Sequence, residues 1–189
     1  MKTEIISCRF IGDFKVGDNM VYNAGLLCKL AESGSTFNKL MLLQAGAITE
    51  AALWEIIYRA QNFNREGVPN ISEEDRAEIE GKKVERFKAI IDVMKRYKIL
   101  DKAGADIYDE LDKLREYRNK VHIQLDVKLE GVPRDEDKAF TDSVRDWALK
   151  LNVRVLKFLT ENFARPADLA QFAHSITVPS PDLQGQAPA

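Results

Sequence analysis

Apolar residues recur at helical spacing over most of this chain. The segment from Ser35 or Thr36 to about Phe63 carries Leu40, Leu42, Leu43, Ala47, Ile48, Leu53, Trp54, Ile56 and Ile57. It is apolar nearly all round, which predicts a buried central helix. Met20 to Glu32 reads as a short helix stopped by Gly34. Ser72, followed by Glu73, Glu74 and Asp75, predicts a capped start for a stretch running to Tyr97, with a break near Gly81. Val84, Phe87, Ile90, Ile91 and Met94 give that stretch its apolar side. A helix from Ala105 to about His122 follows. Asp135, Glu136 and Asp137 open a last long helix to Phe163, striped by Phe140, Val144, Trp147, Leu151, Val155 and Phe158.

The remaining segments show no such periodicity. Ile5 to Ile11 suits a short strand or a packed arm, and Ile123 to Val132 a loop or a short extended piece. Residues 164–189 hold four of the six prolines and read as a flexible or surface-laid tail. No sheet is expected. The pattern therefore gives an all-α bundle of four to five helices. One domain spans 1–163, with a core at 36–163 and an N-terminal arm and short helix at 1–34.

Composition narrows the function classes. A net charge of −2 gives no global basic field, so any contact with nucleic acid must be local. Cys8 and Cys28 have no metal-type spacing and fit reduced thiols. No signal-peptide pattern and no membrane-length apolar run is visible, which sets the expected address as the cytoplasm, away from membranes. Walker, HExxH, CxxC and GxSxG motifs are absent, so no cofactor and no metal are expected.

The chemistry concentrates in Leu114-Arg-Glu-Tyr-Arg-Asn-Lys-Val-His122, which holds one of the two histidines. Arg115, Arg118 and His122 are spaced to project from one side of a helix. Arginine grips phosphate with a planar fork, and histidine titrates near neutrality. On a helical wheel Ile107, Leu111, Leu114 and Val121 make an apolar stripe. Arg118 falls inside it, with Arg115 and His122 along its edge. A guanidinium there is costly unless it is paired or faces a cleft. One reading is a structural ion pair with Glu50 or Glu55; the other is a functional site, where such breaks of pattern concentrate. His122 equally suits a helix end, where the dipole favours it. His174, in the tail, is incidental on this reading.

These residues resemble the signature of the HEPN superfamily, small helical domains of prokaryotic toxins and defence proteins. Its motif is an arginine, usually followed by a polar residue such as asparagine, with four to six residues in all between the arginine and a histidine. Arg118-Asn119 matches the polar pair but leaves three residues before His122; Arg115 leaves six but is followed by Glu116. Which arginine belongs to the motif stays open. The resemblance covers 36–163 and implies a metal-independent endoribonuclease, in a toxin–antitoxin or phage-defence setting. It implies a homodimer whose motif helices line one cleft, and an antitoxin protein as a further partner. In that scheme His122 exchanges protons with the ribose 2′-OH or the leaving oxygen. Arg118, helped by Arg115, holds the phosphate, and Asn119 orients substrate or the histidine. The alternative is a non-catalytic HEPN-like module that binds a nucleotide, RNA or a protein.

Overall fold

The computed structural model describes residues 1–62, 71–120, 132–169 and 174–181. In it α2 (Asn38–Asn62) is the central helix, with α1 (Phe14–Glu32), α3 (Glu73–Glu80), α4 (Phe87–Arg96), α5 (Ile107–Asn119) and α7 (Asp142–Asn162) packed against or around it. A short α6 (Glu136–Ala139) precedes α7. The fold is mostly helical, at 68% helix. Met41, Ala45, Ala52, Leu53 and Ile56 of α2 are fully buried. By length and hydropathy the stretch Gly34–Asn62 suits a membrane span, but 61% of its most apolar window is buried inside the fold. That is the burial expected of a central core helix.

The helix boundaries follow their caps. The Asp13 carboxylate accepts from the N–H groups of Lys15 and Val16, so α1 begins six residues before the expected Met20. Ser72 Oγ accepts from Asp75 N–H and starts α3, which ends at Gly81 as the sequence predicts. The last helix is broken where continuity was expected. Thr141 caps α7, and the Asn38 side-chain amide donates to Phe140 O at 3.1 Å, holding the break against the start of α2. The motif helix is described to Asn119, with Lys120 as its cap. His122, Val121 and the expected loop at 123–131 lie outside the described residues.

The tail is the main correction. Residues 175–180 are not a surface-laid extension but a strand, β2 (Ser175–Ser180). It pairs antiparallel with β1 (Lys2–Ser7) in the register Ile6↔Ile176 and Glu4↔Val178. Ile176 and Val178 are buried while Ile5 faces outward, the alternation of a half-buried strand. A two-stranded ribbon is marginal alone; here α1 and α7 pack on it. Pro179 is compatible because the strand lies at an edge. The domain thus extends past Phe163 to the strand at 175–180, which closes on residues 2–7.

His174, expected to be incidental, helps close this seam. Its carbonyl accepts from Cys8 N–H at 2.8 Å, and its Nε2 lies 3.1 Å from Asp18. Its ring rests on Gly17, where a Cβ would come within 2.8 Å of it. The loop between β1 and α1 is fixed from below. Fully buried Glu55 accepts from the N–H groups of Gly12 and Asp13 at 2.7 and 3.1 Å. Arg59, one turn on, donates to Phe10 O at 3.1 Å.

Candidate functional site: a cationic cleft between α2, α4 and α5

The motif helix α5 is held by its apolar side and pinned at its start. Ile107, Leu111 and Leu114 are fully buried, with Tyr117 completing the stripe one turn on. The Arg154 guanidinium reaches across from α7 to Asp106 at 2.6 Å, Glu110 at 2.7 Å and Ala103 O at 2.9 Å. The Trp147 indole also donates to Glu110. These contacts leave the opposite edge of α5, with Arg115, Arg118 and Asn119, facing an open cavity of about 470 Å³.

Four cationic side chains line this cavity, Arg86, Lys88, Arg115 and Arg118, against two acidic ones, Glu50 and Glu85. Arg118 is the best positioned of them. Its Nη1 contacts Glu50 Oε2 on α2, and its guanidinium lies 5.8 Å from the Phe87 ring centroid. Below it lies Gly46 of α2, where a Cβ would sit 3.4 Å from Arg118 Cδ, at ordinary van der Waals contact. Arg118 therefore escapes the apolar stripe toward a carboxylate and a cleft at once. It is one-third exposed, and Glu50 one-fifth.

Of the two acids the sequence offered as partners, the structure uses Glu50; Glu55 serves the β1–α1 loop instead. Arg115 is held within its own helix by Asp112, at 3.0 Å, and Glu116. Lys88 lies 2.9 Å from Asp92 and 3.2 Å from Asp112. Hydrogen bonding to Asp92, then to Asp112, holds its pKa above the ordinary lysine value. It is fully charged at neutral pH.

Arg86 and Lys88 were not singled out from the sequence. They flank Phe87 at the start of α4, and Arg86, its N-cap residue, makes no side-chain capping bond. The positive end of the α4 dipole is thus left open beside the cleft lined by Phe87 and Lys88. Arg86 is exposed, and its side chain has no ion pair among the described residues. The sequence signal was the Arg-Phe-Lys triplet at the head of an amphipathic helix.

The structure thus brings together Arg115, Arg118 and Asn119, while His122, three residues beyond Asn119, lies outside the described residues. The arrangement can bind an anion. Guanidinium forks and an ammonium converge on one open cavity, with Glu50 and Glu85 as resident counter-charges. Among the described residues no group of three or more His, Cys, Asp or Glu side chains is placed to hold a metal. Comparison with protein-family models, with curated proteins and with solved structures gives no match.

Proposed function

We propose that this chain is a HEPN-type, metal-independent endoribonuclease whose α2–α4–α5 cleft seats the phosphodiester of RNA. The observation that carries the reading is the convergence of Arg118, Arg115, Arg86 and Lys88 on one open cavity, at the end of the helix that leads to His122. Arg118 and its neighbours hold the phosphate and stabilise the charge that grows on it in the transition state. His122 takes the 2′-OH proton or protonates the leaving oxygen. The need for a 2′-OH excludes DNA as a substrate. Two protomers supply two such motifs to a shared cleft, so the active form is a homodimer. A single mass of about 21.5 kDa in light scattering at all concentrations would contradict the dimer. An antitoxin partner and a cytoplasmic setting belong to the same proposal.

The test is RNA cleavage in EDTA by the purified protein, with His122→Ala as control. Cleavage that requires added metal, or that survives in the control, overturns the reading. The Glu50–Arg118 pair favours one alternative, a non-catalytic HEPN-like module that binds RNA, a nucleotide or a protein. There the carboxylate tempers Arg118 so that the anion is bound without being cleaved. RNA binding without cleavage would select it.

A further inference from the structure

The two tryptophans are treated differently by the fold. Trp147 packs beside Tyr117, and its indole N–H donates to Glu110 at 3.0 Å. Trp54 is only partly buried, and its N–H has no acceptor among the described residues. A buried indole usually finds one. Trp54 instead stacks on Tyr58, with ring centroids 5.1 Å apart and an interplanar angle of 24°. Both residues of the stack are half-buried.

Their place relative to the cleft follows from helix geometry. Trp54 is one turn beyond Glu50, about 6 Å along the axis and about 40° around it. Helical side chains lean toward the N-terminus, so Trp54 leans toward the turn that carries Glu50, the partner of Arg118. Beside it Ala51 and Ala47 are half-buried and small, and line a second cavity with Val16, Asn19 and Met20 of α1. Glu50 lines the cation-lined cavity, and the aromatic pair follows it one and two turns further along the same helix, just outside the cavity's lining. That pairing of stacking surface with phosphate-binding charge is what single-stranded nucleic acid requires.

We infer that Trp54, backed by Tyr58, is a stacking platform for a base of single-stranded RNA whose phosphate lies in the Arg118 cleft. The inference rests on the cleft being a phosphate site, but not on cleavage there. It assigns the substrate class as unpaired RNA, because a base inside a duplex cannot offer its face to the ring. Stacking tolerates every base, so sequence preference at this position is weak.

The experiment uses the full chain carrying His122→Ala, with Trp147→Phe added so that emission reports Trp54 alone. A short oligoadenylate should quench this emission, whereas inorganic polyphosphate should bind without quenching. Trp54→Leu, which keeps apolar bulk without the aromatic face, should bind oligoadenylate about tenfold more weakly, the scale of one lost base–aromatic contact. Trp54→Phe should restore most of that loss, and polyphosphate affinity should be the same in all variants. Equal oligoadenylate affinity in Trp54→Leu and the parent overturns the platform. So does dissociation of a dimer by Trp54→Leu with RNA affinity unchanged, which makes the stack a contact between copies. Absence of both polyphosphate and oligoadenylate binding removes the cleft reading and the platform with it. A protein that binds and is quenched but never cleaves RNA supports the platform while ending the ribonuclease reading.

Discussion

The Arg118 guanidinium lies against the Glu50 carboxylate, across the glycine that α2 presents at position 46. The pair joins α5 to the central helix, and both residues line the open cavity. Being partly exposed, it contributes little to stability, about 1 kcal/mol or less. On the proposed function, its larger effect is to set the charge that an incoming phosphate meets.

Two substitutions separate those effects. Arg118→Ala should lower the melting temperature only slightly, by an amount equivalent to about 1 kcal/mol, while weakening RNA binding severalfold or more. Glu50→Gln should tighten RNA binding, because it removes the charge that competes with phosphate. Thermal denaturation and an RNA titration at fixed salt check both. A loss of about 3 kcal/mol or more in Arg118→Ala would instead mark a buried structural pair.

The order of effects on cleavage identifies the motif arginine. His122→Ala and Arg118→Ala should each reduce RNA cleavage by roughly 100-fold or more, the usual scale for losing an acid–base or charge-stabilising group. Arg115, tied to Asp112 and Glu116, should matter less. Arg115→Ala more damaging than Arg118→Ala in single-turnover assays would assign the motif to the six-residue spacing.

Glu55 should leave a pH signature. Burial pushes its pKa above the ordinary 4.5, and hydrogen bonds from Asp13 and Gly12 and attraction to Arg59 offset this only in part. The folded state therefore holds this proton more tightly than the unfolded state. Stability from this group is greatest at low pH and declines as pH rises from about 4.5 through the raised folded value. Glu55→Gln should flatten that segment of the stability–pH curve. Glu55→Ala should destabilise by about 3 kcal/mol, since Gly12 and Asp13 then lose their acceptor in a buried loop. Denaturant titrations across pH measure both.

Truncation tests the seam between β1 and β2. Ending the chain after Leu169 removes Ile176 and Val178, which are 2% and 0% exposed. Burial of two aliphatic side chains is worth roughly 3–6 kcal/mol, so the shortened protein should melt far lower or fail to fold. An unchanged melting temperature would return the tail to a dispensable role.

The sequence by itself determined the helical class, the central place of α2, the start of α3 and the break at Gly81. Each is written in a local pattern, apolar spacing or a cap within one turn. It also marked Arg118 as an anomaly, because a cation in an apolar stripe is visible on a wheel. What tertiary structure decided depends on groups far apart in the chain. The choice of Glu50 over Glu55 turned on which acid α5 faces and which one the β1–α1 loop claims. The break at Phe140 depends on Asn38, some hundred residues away. The strand at 175–180 is not legible locally, because six residues with a proline carry little periodic signal. They become a strand only when β1 supplies hydrogen bonds and α1 and α7 cover one face. Arg86 and Lys88 joined the site for the same reason. A charge at a helix start looks solvated until another helix is packed beside it.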